Sequence, residues 1–371
     1  MRILHVLEPT TAGVPRLLTY IVREQIAAGH EVCVLAPRPL DLPSQVRQWP
    51  WAIRRKRPWT YIKATWQVRE AHRHAKPDVV HVHSFFAGLI ARMPGSLPRA
   101  TPLVYQPHAW AFHVFGGRVR WLVKAWERYA GRRTTALAIN CEDELQRGRR
   151  AGITTAGWIV GIAVDIGSLQ VPTEAERAES RAELGLGPGP VVLLLGRLVP
   201  QKGQDQLLRR WRPAECLAAT RLVLVGPGDP KPLARLAGER WGSSVIHVGG
   251  TSDVQPWLWA ADLMIIPSRY ETVSLVAGEA MATGLPVVAT DFDGAAEVLG
   301  ADDDDPAGDI VPLGDMDAIV QATRLLLLDA NRRAHYGASG RRRAVRYCSP
   351  KSVEQALHDA YAAITPAANV P

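Results

Sequence analysis

Short apolar runs alternate with longer amphipathic segments along almost the whole chain. Apolar runs occur at residues 2–7, 31–36, 78–82, 191–195 and 262–266. Segments with helical spacing, such as 16–28 and 61–74, lie between them. Alternation of this kind predicts α/β architecture with parallel sheets. The pattern restarts after the Gly- and Pro-rich stretch at 185–190, so we predict two units, at 1–168 and 169–349, followed by a helix at 350–365.

Length and composition agree with a two-domain globular protein. A chain of 371 residues exceeds what one core supports, and 47% hydrophobic with 22% charged residues is ordinary for such proteins. The four cysteines are scattered without a Cys-x-x-Cys pair, which favours a reducing cytoplasm over disulfides or a zinc cluster. We expect neither a signal peptide in residues 1–7 nor a membrane span, since no apolar run reaches about 18 residues.

The charge is divided unevenly between the two halves. Residues 1–170 contain 24 Lys and Arg against 11 Asp and Glu, whereas the remainder contains 20 against 25. A basic first half predicts contact with an anionic surface or substrate. In the proline-rich stretch 37–60, which we predict to be irregular, Arg54–Arg57 lies among Trp49, Trp51 and Trp59. This pattern suits an anionic membrane interface, with a solvated loop and packed tryptophans as the alternative; no motif supports nucleic acid.

Several candidate residues of the first half follow predicted strands. The carboxyl ends of parallel strands meet at one edge, where ligands of open sheets bind. His83 and His108 occupy such positions, with His113 as a fallback a few residues later. Gly13, in the loop predicted after the first strand, allows close approach of backbone to a ligand. A Gly-x-Gly-x-x-Gly motif is missing from this loop, so a dinucleotide cofactor is not predicted.

The loop after the first strand of the second half contains two cations. Arg197 and Lys202 are flanked by Gly196 and Gly203. Two cations with accessible backbone on one short loop predict a diphosphate site that needs no metal. The alternative is ordinary surface charge.

The stretch 267–282 is the other candidate ligand site of the second half. It runs from the end of a strand into a helix, with Glu271 before the helix and Glu279 in its second turn. The helix start offers free amides and a positive dipole end to an anion. We therefore predict that Glu271 and Glu279 grip different parts of one ligand, and the alternative is a helix with two solvated acids. The turn residues assigned to the same ligand are Thr272, Val273, Ser274 and Leu275.

These motifs resemble the retaining GT-B glycosyltransferases of glycosyltransferase family 4. The shared features are Gly196-Arg197-Leu198 through Lys202-Gly203, two acids separated by seven residues at Glu271 and Glu279, and the segment 284–290. The resemblance extends over nearly the whole chain and is strongest at 190–315. It implies a GT-B fold, in which two Rossmann-like parallel-sheet domains face each other across a cleft. It also implies an acceptor-binding domain at 1–168, a donor-binding domain at 169–349, and a last helix that packs back on the first domain.

The resemblance also implies a role for each matched residue. Arg197 and Lys202 would stabilise the leaving diphosphate, Glu271 would contact the donor sugar and Glu279 the ribose. Gly13 would line the donor phosphate, and His108 would lie near the hydroxyls of the sugar. The implied reaction moves a sugar from a UDP- or GDP-sugar to a glycan, lipid-linked or small acceptor with retained configuration. No cofactor or metal is implied, and the expected location is the cytoplasm, with possible peripheral contact with the membrane.

Some positions depart from the family pattern. Ala12 precedes Gly13 where two glycines are usual, Ile162-Ala163 replaces Asn-Gly, and Thr272–Ser274 leaves the sugar open. The run Asp302–Asp305 falls in a variable family loop, so we predict a solvated turn and no metal site. The alternative functions are a nucleotide-sugar 2-epimerase or a glycan phosphorylase on the same fold, and least of all a non-catalytic binding protein at a membrane.

Overall fold

The computed structural model describes residues 1–10, 13–54, 57–212, 219–301 and 304–365. The chain forms two compact units, one of Met1–Ala163 with Pro350–Pro371 and one of Val164–Ser349. This division falls five residues before the boundary drawn at 168/169 from the sequence. Both units consist of a parallel sheet with helices, so the predicted α/β class is confirmed.

Unit 1, which is Met1–Ala163 with the C-terminal helix, contains a seven-stranded parallel sheet in the order β3-β2-β1-β4-β5-β6-β7. Its strands are β1 Arg2–Leu7, β2 Glu31–Ala36, β3 Arg47–Pro50, β4 Val79–His83, β5 Leu103–Gln106, β6 Ala136–Ile139 and β7 Gly157–Ile159. The central strands are buried along nearly their whole length, because helices cover both faces of such a sheet.

The helices of unit 1 include the last helix of the chain. They are α1 Gly13–Ala27, α2 Thr60–Ala75, α3 Phe85–Ala91, α4 Ala111–Val114, α5 Gly117–Gly131, α6 Glu142–Arg150 and, after unit 2, the C-terminal helix Pro350–Ile364. The C-terminal helix packs beside α1, where its Val353, Leu357 and Tyr361 join a core cluster with Leu17 and Ile21. Burial of this apolar stripe holds the helix on unit 1.

Unit 2, Val164–Ser349, contains a six-stranded parallel sheet in the order β10-β9-β8-β11-β12-β13. The strands are β8 Val191–Leu195, β9 Arg221–Val225, β10 Val245–Val248, β11 Leu263–Ile266, β12 Val287–Thr290 and β13 Gly308–Val311. The helices are α7 Glu174–Glu183, α8 Gln204–Arg210, α9 Lys231–Ala237, α10 Gln255–Ala260, α11 Leu275–Ala282, α12 Ala295–Leu299, α13 Met316–Leu328 and α14 Ala330–Tyr347. Short 3-10 turns cover Pro200–Lys202 and Gly238–Arg240. The C-terminal helix Pro350–Ile364 is named α15 below.

Each sheet has a point at which the strand order reverses. In unit 1 this point is β1, between β2 and β4, and in unit 2 it is β8, between β9 and β11. Ligands of open α/β sheets bind outside the carboxyl ends of the strands at such a point. In unit 2 the loops concerned begin at Gly196 and Pro267, which start the two stretches selected from the sequence.

Three local predictions are wrong. The stretch 37–60 is not wholly irregular, because Arg47–Pro50 forms the edge strand β3 beside β2. Gly13 is the first residue of α1 and not part of the preceding loop, and the short helix Ala111–Val114 was missed. Edge strands and four-residue helices carry too little periodic pattern to be recognised from sequence alone.

The tryptophans of this stretch have different environments. Trp51 is buried and its Nε1 donates a hydrogen bond to the carbonyl oxygen of Ala64 over 3.1 Å, whereas Trp59 is 68% exposed. Arg55 and Lys56, from the predicted basic patch, lie outside the described residues. Among the helices of the described residues, none has the length and apolar character that crossing a membrane requires.

Candidate functional site

The loop after β8 and the turn after β11 meet through an ion pair. Lys202 Nζ lies 2.5 Å from Glu271 Oε1, and the two side chains are only 16% and 11% exposed. Gly203 makes this approach possible, because it has φ +73° and a Cβ there would overlap the carbonyl oxygen of Pro267. The sequence predicted separate contacts of these two residues with a ligand, but it did not predict that they would pair with each other.

The carboxylate of Glu271 is held by three donors. Besides Lys202, the buried Ser268 donates through Oγ to Oε1 over 2.9 Å, and Gln201 Nε2 donates to Oε2 over 3.4 Å. Three donors on one carboxylate fix its orientation. Ser268 and Gln201 were not selected from the sequence, although each lies within one to three residues of a selected residue.

A second ion pair fastens the two segments together. Arg269 donates two hydrogen bonds to the carboxylate of Asp205, over 2.7 and 2.8 Å, and the Arg269 backbone N–H donates to Gln201 O over 2.8 Å. Hydrogen bonding to Arg269 holds the pKa of Asp205 below its usual value. This bidentate pair therefore positions the Lys202 loop against the Glu271 turn, and the sequence analysis missed it.

The start of α11 is open to an anion. Ser274 is the N-cap residue, but its side chain makes no capping hydrogen bond, and Oγ is buried without a partner among the described residues. Because the first amides of a helix have no intrahelical acceptor, Val273, Ser274 and Leu275 lie where an anion can be bound. Thr272 precedes them in the same turn.

The remaining selected residues of unit 2 differ in exposure. Arg197 is exposed, and its guanidinium has no hydrogen-bond partner among the described residues. Gly196, at the end of β8, has φ +152°, and a Cβ there would lie 3.3 Å from Lys202 Cε. Glu279 is 97% buried, with 3% exposed, in the second turn of α11. The selected residues of unit 2 thus border one edge, where the cation Arg197 is exposed and the acid Glu279 is buried.

The corresponding edge of unit 1 is formed by histidines. His5 lies on β1, His83 ends β4 and His108 follows β5. His5 Nδ1 lies 2.9 Å from His83 Nε2, and His83 Nδ1 lies 3.0 Å from His108 Nε2. At its inner end this chain reaches Gln25 Oε1, 2.9 Å from His5 Nε2.

The direction of these hydrogen bonds follows from Gln25. An amide oxygen only accepts, so His5 Nε2 carries a proton and His5 Nδ1 accepts from His83 Nε2. The same alternation makes His108 donate from Nε2, which leaves Nδ1 as the acceptor of that ring. Burial lowers the pKa of His5 to about 4 and that of His108 to about 3, so both rings are neutral at pH 7.

Backbone conformations at this edge are unusual. Ser84, His108 and Ala109 have φ values of +72°, +54° and +139°, and they directly follow β4 and β5. Such conformations cost roughly 1–3 kcal/mol each and concentrate at functional sites. Of the residues selected from the sequence in unit 1, His83 and His108 are hydrogen-bonded to each other. Gly13 begins the helix after β1, and His113, the fallback candidate, lies in α4.

The acidic run does not change this account. Asp302 and Asp303 lie outside the described residues. Asp305 is paired with Arg342 over 2.6 Å and lies 3.5 Å from His335. The sequence predicted a solvated turn for this run, and the structure shows that Asp305 has the cationic side chain of Arg342 as its partner.

Two family models match the chain. The model described as Glycosyl transferases group 1 matches residues 189–329, and the model described as Glycosyl transferase 4-like domain matches residues 12–160. The matches fall in units 2 and 1 respectively and together cover more than three quarters of the chain.

Similar proteins of known name include two bacterial transferases. The chain is 28% identical to alpha-D-kanosaminyltransferase of Streptomyces kanamyceticus over 330 residues, which is 81% of this chain and 82% of that protein. It is 35% identical over 182 residues to a GDP-mannose-dependent alpha-(1-6)-phosphatidylinositol monomannoside mannosyltransferase of Mycolicibacterium smegmatis, covering 46% and 47% of the two chains.

Solved structures share the fold at lower identity. Sucrose-phosphate synthase from Thermosynechococcus elongatus superimposes with a TM-score of 0.82 at 20% identity, over 97% of this chain and 98% of that chain. Anabaena HepE in complex with UDP and glucose gives a TM-score of 0.81 at 18% identity, over 98% and 99%. These neighbours are GT-B glycosyltransferases, so the GT-B fold implied by the sequence is confirmed.

Proposed function

Because this chain belongs to the glycosyl transferases group 1 family and is a glycosyltransferase, we propose that it transfers a sugar from a nucleotide-diphosphate donor to an acceptor hydroxyl with retained anomeric configuration. The observation that supports this most directly is the Lys202–Glu271 ion pair beside the start of α11. It combines a fixed cation, a fixed carboxylate and helix amides at the strand-order reversal of one sheet.

The proposed diphosphate contacts are Arg197, Lys202 and the amides at Val273–Leu275. When the donor's bond between the anomeric carbon and the phosphate oxygen breaks, negative charge grows on that oxygen. Preorganised cations and amides stabilise this charge more than they stabilise the intact donor, and this lowers the barrier. Arg197 is exposed and unpaired among the described residues, so it can close on the phosphate without breaking an existing ion pair.

The proposed sugar and ribose contacts are the two acids. Glu271 accepts hydrogen bonds from the sugar hydroxyls while its other interactions hold Lys202 in place. Glu279 accepts from the ribose. His108 and Gly13 keep the roles that the resemblance implies, toward the sugar hydroxyls and the donor phosphate. The proposed donor is a UDP- or GDP-sugar, and the transfer itself uses no cofactor or metal.

We propose front-face attack as the route to retention. The acceptor oxygen forms its bond to the anomeric carbon on the side from which the phosphate oxygen departs, and the departing oxygen takes the acceptor proton. The phosphate oxygen thus becomes the base, which dispenses with a carboxylate nucleophile. The proposed acceptor is a glycan, a lipid-linked glycan or a small molecule in glycoconjugate synthesis, in line with the names of relatives such as the mannosyltransferase.

Donor turnover by the purified protein tests this proposal. Binding of UDP-glucose, GDP-mannose and ADP-glucose is measured by calorimetry, and NMR compares the anomeric configurations of product and donor. Lys202→Ala should lower release of nucleoside diphosphate by about 10²- to 10³-fold. The matched control is Lys231→Ala, at an exposed lysine that begins α9. An inverted product, or full activity of Lys202→Ala, would contradict the proposal.

The alternative enzymes have different requirements. A 2-epimerase would convert the donor sugar without an acceptor, and a phosphorylase would form product only with free phosphate. Either result would replace the transfer reaction proposed here. A non-catalytic binding protein would bind a donor but would not turn it over.

We also propose that unit 1 contacts an anionic membrane surface. On helix α5 the side chains of Val119, Trp121 and Leu122 are 48%, 68% and 58% exposed. A group of exposed apolar side chains of this kind is typical of a surface that contacts a partner or a membrane. Cations flank this group at Arg118, Arg120 and Lys124. Apolar side chains between cations match the acyl and headgroup layers of an anionic bilayer.

The charge of α5 supports this assignment. Its only acid, Glu127, is buried and paired with Arg92 over 2.9 Å, so the solvent-exposed charges of the helix are all positive. The sequence analysis missed this surface and selected Arg54–Arg57, of which Arg55 and Lys56 lie outside the described residues. The two patches therefore compete as membrane contacts.

Sedimentation with vesicles separates these patches. Vesicles of phosphatidylglycerol should bind the protein, and neutral phosphatidylcholine vesicles should not. Each cation near the surface is worth about 1 kcal/mol, so replacing Arg118, Arg120 and Lys124 by serine should weaken binding by about two orders of magnitude. A second variant, in which residues 54–57 are replaced by serine, shows whether the other patch contributes to vesicle binding. Equal binding by all variants would exclude both patches.

A further inference from the structure

Two histidines and a glutamate meet between α15 and the turn that precedes β2. His30 precedes β2, and Glu354 and His358 lie one helical turn apart on α15. His30 Nε2 is 3.6 Å from Glu354 Oε1 and 3.4 Å from His358 Nδ1, and all three atoms lie within 4.8 Å of one another. None of these residues belongs to the glycosyl-transfer site proposed above.

We propose that His30, Glu354 and His358 bind one divalent transition-metal ion of the zinc class, which fastens α15 to the rest of unit 1. Zinc–nitrogen and zinc–oxygen bonds of about 2.0–2.1 Å at tetrahedral angles place neighbouring ligand atoms roughly 3.3–3.4 Å apart. The two separations from His30 Nε2, 3.4 and 3.6 Å, are close to this value. The ligand atoms of Glu354 and His358 lie within 4.8 Å of each other and have to approach to close the site. Water can occupy the fourth position.

The charge around Glu354 favours a cation. Its side chain is only 11% exposed, and the group within ion-pair distance among the described residues is the imidazole of His30 and not a Lys or Arg. A divalent ion would supply the positive charge that this buried carboxylate lacks.

The imidazoles are suited to act as ligands. The side chain of His30 is only 7% exposed, and a neutral imidazole offers the lone pair of one ring nitrogen to a metal ion. Two nitrogens with one oxygen favour Zn²⁺, Co²⁺ or Ni²⁺ over Ca²⁺ or Mg²⁺, which prefer oxygen ligands.

The cluster of His5, His81 and His83 is the competing metal site in the described part of the chain. Its rings are fully buried, and His5 Nδ1 and His83 Nε2 share a hydrogen bond of 2.9 Å, which is shorter than the 3.4 Å hydrogen bond between His30 Nε2 and His358 Nδ1. It contains no carboxylate, so a divalent ion there would be both uncompensated and buried. These differences favour the site on α15.

Metal titration of the full chain, without a polyhistidine tag and after chelator treatment, tests the proposal. Co²⁺ should bind in a ratio of one per chain and give the visible absorption of a tetrahedral ion, and Zn²⁺ should displace it. Zn²⁺ at about a hundredfold excess over its Kd should raise Tm by roughly 5 °C. His30→Asn and His358→Asn should abolish both effects.

Control variants make the outcome specific. Glu70 and His74 form an exposed pair on α2 with the same four-residue spacing and a separation of 4.0 Å, so His74→Asn should bind Co²⁺ like the parent. Glu354→Gln conserves volume and replaces the histidine variants if those fail to fold. The proposal is overturned if the parent binds no stoichiometric ion, if the site variants bind it unchanged, or if His83→Phe alone abolishes binding.

Discussion

The ligand-binding edges of the two sheets use opposite chemistry. In unit 2 the edge is charged, with Lys202 and Glu271 paired at 2.5 Å and partly open to solvent. In unit 1 the edge is neutral, because burial keeps His5 and His108 unprotonated at pH 7. Both edges lie at the carboxyl ends of parallel strands, so the fold supplies the position and the side chains supply the chemistry.

This difference indicates how the two edges contribute to the proposed transfer. A charged pair can stabilise a leaving diphosphate. A chain of neutral imidazoles can only donate and accept hydrogen bonds. The oxygen of Gln25 at the buried end of the chain determines which nitrogen of each ring donates and which accepts. The first edge therefore suits the charge change of the reaction, and the second suits recognition of uncharged hydroxyls.

The largest expected effect comes from breaking the charged pair. Lys202→Met and Glu271→Gln should each lower kcat by about 10²- to 10³-fold, or about 3–4 kcal/mol, because each removes part of one preorganised unit. The double variant should be hardly worse than either single variant, since residues that act as a unit are not additive. Steady-state kinetics of the four proteins measures this coupling.

The matched control uses Lys231→Met and Glu183→Gln, which are exposed residues of α9 and α7. Their effects on kcat should be small and additive. If Lys202→Met and Glu271→Gln prove additive as well, the two residues act separately, as the sequence analysis first assumed.

The second effect is the acid sensitivity of the neutral edge. The folded-state pKa values of His5 and His108, about 4 and about 3, lie below the value of about 6.5 for an unfolded chain. Their stabilising effect is complete above pH 6.5 and is lost as the pH falls toward 4 and 3, because only the unfolded chain binds the protons. A fall in pH from 7.5 to 5.5 should lower the free energy of unfolding by about 1.4 kcal/mol for each of the two histidines, or by about 3 kcal/mol for both.

Urea unfolding of the parent and of His108→Asn, followed by circular dichroism at both pH values, isolates one contribution. The variant should lose about 1.4 kcal/mol less than the parent. The edge of unit 2 has no histidine in 196–203 or 267–282, so it should not contribute to the change in the free energy of unfolding between pH 7.5 and 5.5. An unchanged pH dependence in His108→Asn would mean that folding does not shift the pKa of this ring.

The two edges also differ in how far the sequence predicted them. The contributions to the unit 2 edge are short consecutive motifs, so Arg197, Lys202, Glu271 and the turn at 272–275 could be selected from local spacing. The pairing of Lys202 with Glu271 could not, because it depends on how two loops 69 residues apart pack. The alternating α/β pattern was sufficient for the fold, since buried parallel strands are continuous apolar runs.

The unit 1 edge was harder to predict, because its histidines come from three strands. His83 and His108 were selected one by one from their positions after strands, and His5 was not selected at all. Parallel register aligns His5 with His81 and His83 with Gln106, which brings the rings together. Only the His81-x-His83 alternation, which puts both rings on one face of β4, was a sequence signal for this cluster.

The third effect tests what positions the charged edge. Arg269→Met removes two hydrogen bonds to Asp205 and frees the Lys202 loop, and kcat should fall about tenfold with little change in Tm. Arg269→Lys should recover part of the loss, since it restores charge without the bidentate geometry. The control is Arg210→Met, which removes an exposed pair with Asp317 at 3.6 Å and should change nothing. Equal kcat values for all three variants would show that the loop needs no such fastening.

The smallest effect tests what directs the neutral edge. His83→Phe interrupts the hydrogen bonds between Gln25 and His108, so the tautomer of His108 is no longer determined by the inner amide. Loss of one such hydrogen bond should lower kcat about fivefold. The ¹⁵N shifts of His108 should show the Nε2–H tautomer in the parent and a mixture in the variant, while His113→Phe, outside this chain of rings, should leave them unchanged. An Nδ1–H ring in the parent would reverse the direction of every hydrogen bond in the chain, and His108 would then offer the sugar a donor in place of an acceptor.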